Sequence, residues 1–323
     1  MFYPLLRSFV KFGLNWYVAD WQLKNLANAS LHHPTIVVCN HPNSFFDALV
    51  LAVHSPKETR FLVRGDIFKK QWANWALRNL FMIPIYKKSD DPDFEVMNAF
   101  TYDECAKWLK SSENIVIFPE GVSRNTHRLR PFMPSGFSAL VKRAISMDIP
   151  VQIQPYVINY SSFNAIPKAV ALTALSPIDS TDYIQESEVD TSKILTLMRE
   201  EMDSELAGIP ITPTPDYAKN REWMKYPAKA GYYTHHWLYK LLKAQVEKKT
   251  SGTIFYDSLM FAALLFGYPL LILILSLLIG NLIGFWTGLL IFTILPFLSY
   301  CWVQYEPIRV HDESDTFKDN KLN

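Results

Sequence analysis

Between Ser258 and Tyr305 the sequence has no charged residue, over 48 consecutive positions. One bilayer crossing takes about 20 apolar residues. Two therefore fit, over roughly 258–279 and 283–304, with IGNLIG as the reversal between them. The alternative to a membrane hairpin is a buried helical pair in a soluble core, and 48 uncharged positions weigh against it. A hairpin returns the chain to the side it left, so KLLKAQVEKK (240–249) and YEPIRVHDESD (305–315) share one compartment. The lysine-rich flank predicts that this compartment is the cytoplasm.

Net charge is also scarce. Lysine and arginine total 32 against 31 acidic residues, for a balance of +1, so no basic surface for nucleic acid is indicated. Cysteines are few: Cys39, Cys105 and Cys301 are odd in number and widely spaced, as in a reducing compartment without a disulfide framework. The opening MFYPLLRSFVKFGLNWYVADW lacks the long apolar core and cleavage site of a signal peptide. Rich in aromatics and broken by Arg7 and Lys11, it reads as an amphipathic helix, lying at a membrane interface or packed on the domain. Internal repeats and low-complexity tracts are missing. So is any G-x-S-x-G elbow, which disfavours a serine hydrolase of that type. His32, His33, His127, His235 and His236 lack partners at metal-ligand spacing, and no metal is expected.

What is present is an alternation. Strand-like runs occur at 35–39, 59–64, 114–118, 151–159 and 168–175, and helix patterns at 45–54, 67–80, 93–110, 135–147 and 191–207, where Gly208 ends the last. Such alternation predicts an α/β domain with a mostly parallel sheet flanked by helices, active residues gathering where strands run into loops. Beyond about residue 180 the strand signals fade. An acidic stretch (182–205) gives way to a basic, aromatic one (219–249), read as a helical appendage near headgroups.

NHPNSFFD (40–47) joins the first strand to the first helix. Ser44 and Asp47 resemble a capping box with Asp in place of Glu, and Pro42 keeps the helix from starting earlier. The same spacing allows Asp47, one turn into the helix, to reach a nitrogen of His41 and leave the other nitrogen to act as a general base. Both readings are compatible with the residues. Arg64 ends the second strand in FLVRGDIF, and Glu120, Gly121, Ser123 and Arg124 follow another in IFPEGVSRN. Arginines at a dry cleft suit a phosphate, whose oxygens match the guanidinium fork, although each could equally be a surface residue or an ion-pair partner. Trp72 and Trp75, close behind Arg64, are candidates for headgroup level or for an ordinary amphipathic helix on the sheet.

Taken in order, NHPNSFFD, FLVRGDIF, IFPEGVSRN and IPVQI resemble the signature blocks of the glycerolipid acyltransferase superfamily, across roughly residues 30–175. One departure stands out: five residues separate His41 from Asp47, where most members have four. The resemblance implies a glycerol-3-phosphate acyltransferase-like α/β fold and O-acylation of a lysophosphatidate-like acceptor from a thioester donor. Glycerol-3-phosphate or another lysolipid is the alternative acceptor, and a non-catalytic lipid-binding or membrane-shaping protein the alternative class. It further implies His41 as base, Asp47 as its orienting partner, and Arg64, Glu120, Gly121, Ser123 and Arg124 around the acceptor phosphate. No prosthetic group is implied; coenzyme A or acyl carrier protein would bring the acyl chain as cosubstrate. The expected plan is an interfacial segment (1–30), an acyltransferase domain (31–180), a helical appendage (181–253), a transmembrane hairpin (254–305) and a polar tail (306–323).

Overall fold

The computed structural model describes residues 2–29, 32–87, 92–186, 188–207, 211–214 and 219–307. The expected polar tail beyond 307 and the helix stop at Gly208 lie outside the described residues.

The sheet is built from β1 (Val18–Lys24), β2 (Thr35–Cys39), β3 (Thr59–Arg64), β4 (Met82–Ile85), β5 (Asn114–Ile117), β6 (Gln152–Tyr160), β7 (Lys168–Ala174) and the short β8 (Ile178–Asp179). Its order is β1-β7-β6-β2-β5-β3-β4, with β8 also on β6. The strands β6, β2, β5, β3 and β4 run parallel, while β7 lies antiparallel to β6 and carries β1 parallel to itself. All five parallel strands therefore end on one edge, and β7 begins there.

Neighbouring residues of a strand face opposite sides of the sheet, and β2 feeds two cores accordingly. Val37 and Cys39 enter one cluster with Phe46, Tyr160 and Val170. Ile36 and Val38 enter the other, with Leu109, Phe137 and Met198. The first face is covered by α1 (Phe2–Tyr17) and α2 (Phe45–His54). The second face carries α4 (Phe94–Lys110), α5 (Pro134–Ile145) and α6 (Thr191–Leu206). Between these, α3 (Gln71–Asn79) buries none of its residues. The helix expected over 67–80 is in fact a 3-10 turn, Gly65–Phe68, followed by this shorter helix.

Helix α7 (Lys225–Thr250) leads to α8 (Tyr256–Ala262), which continues through a π-helical turn, Ala263–Gly267, into α9 (Tyr268–Ile283); α10 (Phe285–Tyr305) runs back. Gly284 makes the reversal at φ 141°, a conformation that side-chain-bearing residues rarely adopt. Tyr256–Ile283 and Phe285–Tyr305 are long and apolar enough to cross a membrane. Only 17% of each apolar window is buried, whereas a soluble core helix would be mostly covered. The base of the hairpin is different. Met260, Phe261 and Leu265 belong to the same cluster as α1 and α2, so the first turns of the hairpin are part of the α/β core.

Candidate active site

The sheet edge where the parallel strands end holds the turn 40–44. Asn40 leaves β2 but prolongs its pairing with β6 through the side chain: Nδ2 donates to the Ile158 carbonyl and Oδ1 accepts from the Ile158 amide, both at 2.8 Å. This fixes where the chain turns away from the ladder. The loop after β5 clamps the turn from the other side. The His41 amide donates to Glu120 Oε1 (3.3 Å), the Arg124 amide to the His41 carbonyl (3.3 Å), and the Ser44 amide to Ser123 Oγ (2.7 Å). The His41 ring stacks on Phe118 with centroids 4.1 Å apart and planes 16° apart.

The capping-box reading of Ser44 and Asp47 is corrected by this geometry. Ser44 sits at φ 53°, ψ −137° and makes no side-chain bond to the first turn of α2. Asp47 reaches back past it and accepts the Asn43 amide on Oδ2 (2.8 Å). A positive φ at a serine is strained and persists only where surrounding bonds hold it; here the Ser123 hydroxyl and the Asp47 carboxylate do so.

Asp47 Oδ2 also meets His41 Nδ1 at 2.9 Å, and Oδ1 accepts the Tyr160 hydroxyl at 2.6 Å. Burial pushes the fully enclosed Asp47 carboxyl upward, and the bonds from His41, Tyr160 and Asn43 oppose it. With Nδ1 donating to Asp47, the proton-accepting lone pair of the imidazole is on Nε2. No described group bonds Nε2, and the His41 side chain is 20% exposed. An imidazole held in one tautomer, with its basic nitrogen accessible, can take a proton from a bound hydroxyl.

The expected phosphate residues lie on the same edge but play different parts. Gly121, at φ 69°, turns the loop under Met133, and a Cβ there would collide with Met133 Sδ. Glu120 and Ser123 bind the turn itself, as above. Arg124 is exposed, and its backbone amide, not its guanidinium, joins it to His41. Arg64 ends β3 with its side chain 59% exposed and its guanidinium forked on Asp66, through Nε (3.1 Å) and Nη2 (2.8 Å). No bond brings Arg64 to the His41–Asp47 pair. Two further cations converge on the loop: Lys87 Nζ donates to the Gly121 carbonyl (2.6 Å) and Arg130 Nη1 to the Val122 carbonyl (2.9 Å). Sequence patterns passed over these two, and Asn40, Asn43 and Tyr160 as well. Asn40 and Asn43 stood in the NHPNSFFD block without a role of their own, and Tyr160 lay one residue beyond the expected end of a strand. Cys39, beside the site, is enclosed, and burial holds its thiol well above the usual range.

Glu120 is 3% exposed and its Oε2 has no hydrogen-bond partner. Burial raises its carboxyl from an ordinary 4.5 to about 7, against the opposing bond from the His41 amide. The folded chain therefore holds a proton between about pH 4.5 and 7 that the unfolded chain has lost, and stability falls as pH rises through that window. Glu120→Gln should gain about 2–3 kcal/mol over wild type at pH 8 and little at pH 5. Unfolding midpoints at the two pH values test this, and a gain independent of pH would contradict it.

The chain is similar to known proteins in three respects. Residues 20–159 match the family model described as Acyltransferase. Over 139 residues the chain is 27% identical to a chloroplastic 1-acyl-sn-glycerol-3-phosphate acyltransferase of Brassica napus, covering 43% of this chain and 38% of that one. The chain thus aligns with well under half the length of that relative. The crystal structure of the 1-acyl-sn-glycerophosphate acyltransferase PlsC of Thermotoga maritima aligns at a TM-score of 0.45 and 18% identity, over 63% of this chain and 80% of that chain. The segment matched by the family model contains the turn of His41 and Asp47, the end of β3 and the loop after β5. Over residues 20–159 the chain is thus similar to the Acyltransferase family.

Proposed function

We propose that the protein is a membrane-anchored O-acyltransferase that moves a fatty acyl group from a thioester donor to the hydroxyl of a lysophosphatidate-like acceptor. The observation that carries this reading is the fixed imidazole at the sheet edge: His41 Nδ1 on the buried Asp47 carboxylate, with Nε2 accessible. Nε2 takes the proton of the acceptor hydroxyl as its oxygen attacks the thioester carbonyl carbon. The C–O bond forms, the C–S bond breaks, and the leaving thiolate recovers the proton from the imidazolium. The donor is a coenzyme A or acyl carrier protein thioester, and no resident cofactor takes part. Arg124 and Arg64, with Glu120, Gly121 and Ser123 shaping the loop, are assigned to the acceptor phosphate.

Membrane anchoring rests on the hairpin and on exposed aromatics. Trp72 and Trp75 of α3 are 71% and 72% exposed, and Leu5 and Phe12 of α1 also face outward. Trp and Tyr favour the headgroup region, where one side of the ring is apolar and the other wet. A cleft at that level meets an acceptor that resides in the bilayer. The lysines of α7 support a cytoplasmic position for the catalytic domain.

The test is to incubate membranes carrying the protein with a labelled acyl thioester and three acceptors: lysophosphatidate, glycerol-3-phosphate and a zwitterionic lysolipid. Preferred transfer to lysophosphatidate is expected, and transfer to none of the three would overturn the enzymatic reading. Arg124→Ala should raise KM for the phosphate-bearing acceptors by about 10-fold or more, as expected for loss of a charge-assisted contact. An equal rise with an acceptor lacking phosphate would remove the assignment of Arg124 to that group.

A further inference from the structure

Asp257 is the last charged residue before the 48 uncharged positions, and it is fully buried. Three separate parts of the chain converge on its carboxylate. Lys168 Nζ, at the start of β7, and Asn43 Nδ2 (2.6 Å) bond Oδ2; the Tyr17 hydroxyl, at the end of α1, bonds Oδ1 (2.7 Å). Lys168 is also fully enclosed, its ammonium near the rings of Tyr17 (5.4 Å) and Phe46 (5.6 Å). Taking both ions out of water is costly, and well-packed apolar side chains anchor helices as well or better. Anchorage alone leaves the charges unexplained.

Asn43 supplies an explanation. Its side chain is held by Asp257, and its backbone amide donates to Asp47 Oδ2, the same oxygen that meets His41 Nδ1. It also precedes Ser44, whose positive φ needs support on both sides. A fixed acceptor on Asn43 therefore sets the one amide that, with His41, fixes the position of Asp47 Oδ2. Lys168 and Asp257 both lie outside the segment matched by the family model.

We propose that Asp257, seated by Lys168 and Tyr17, is a positioning residue for the His41–Asp47 pair, acting through Asn43, so that the base of the hairpin is a working part of the site. This rests on reading His41 as the base and Asp47 as its partner.

The experiment is a double-mutant cycle on the full chain in membranes, using Asn43→Ala, Asp257→Asn and the double variant. Asn43→Ala leaves the Lys168–Asp257 and Tyr17–Asp257 contacts in place, so it keeps the question open should Asp257→Asn fold poorly. Each single variant should lower kcat about 10- to 100-fold, the scale of a small misplacement at a reacting centre, with KM for both substrates unchanged within about two-fold. The double variant should be no worse than the weaker single, because both remove one connection. A second readout is independent of turnover: the rate at which diethyl pyrocarbonate modifies His41, relative to the exposed His33, mapped by mass spectrometry. Release of the turn should speed His41 modification several-fold in both singles. Wild-type kcat and labelling rate in a folded Asn43→Ala protein would overturn the proposal, as would single effects that multiply. If the wild type transferred acyl groups to no acceptor, the labelling arm would still decide whether Asp257 positions His41, separately from the acyltransferase reading.

Discussion

Acyl transfer by the His41→Ala variant should fall by at least about 100-fold and by as much as about 10,000-fold, the range contributed by general base catalysis. The protein should still fold and insert. The ring is partly exposed and its main packing contact is the face of Phe118, so its loss opens no sealed cavity. Asp47 keeps the Asn43 amide and the Tyr160 hydroxyl as donors, so its buried carboxylate is not abandoned. The turn keeps its clamp as well, because the loop after β5 grips residues 41 and 44 through backbone groups that alanine retains. Loss of turnover would therefore report the imidazole and not collapse of the site. The measurement is initial-rate transfer from a labelled thioester in isolated membranes, with insertion checked by resistance to carbonate extraction. Near wild-type turnover in a properly inserted variant would remove His41 from the chemistry.

The parts of this molecule that sequence patterns reveal are those in the middle of the sheet. The runs at 35–39 and 59–64 are β2 and β3 to the residue, those at 114–118 and 168–175 overrun the ends of β5 and β7 by one residue, and 151–159 is β6 shifted by one. Inner strands are covered on both faces and read as continuous apolar runs. The two missed strands of any length, β1 and β4, are the two edges. Edge strands pair on one side only and tolerate residues that argue against a strand. In β4 this is Pro84, and in β1 it is the polar pattern VADWQLK. The site divides along similar lines. His41 and Asp47 were legible because six positions of chain bring them together across one turn. Tyr160, Lys168 and Asp257 were not, because each reaches the turn through the fold: Tyr160 is 113 residues from Asp47, and Asp257 is 214 from Asn43. Local periodicity holds no information on contacts of that span. The capping box failed for a different reason. Its spacing was right, but the backbone at Ser44 enters the helix at positive φ, which no pattern of residue types announces.

The long-range pair also yields the largest expected change in stability. Asp257→Ala should cost about 3–5 kcal/mol, because it leaves the Lys168 ammonium enclosed without its counter-charge. Desolvation already lowers the proton affinity of that amine, and Asp257 is what opposes the effect. Lys168→Met should cost less, since the carboxylate retains Tyr17 and Asn43 as donors. The double variant Lys168→Met with Asp257→Leu should recover most of the loss, an apolar pair of similar volume replacing two ions that were expensive to bury. Unfolding of the detergent-solubilised protein, followed by tryptophan fluorescence, would rank the four proteins. Equal losses in Asp257→Ala and the double variant would show that the ion pair does not govern how the hairpin base is held. Turnover should not follow the same order. A leucine in place of Asp257 offers Asn43 no acceptor, so the double variant should be nearly as stable as wild type while transferring acyl groups as poorly as Asn43→Ala. A chain that is firm at the hairpin base and slow at His41 is the combination that separates holding the helices together from holding the imidazole in place.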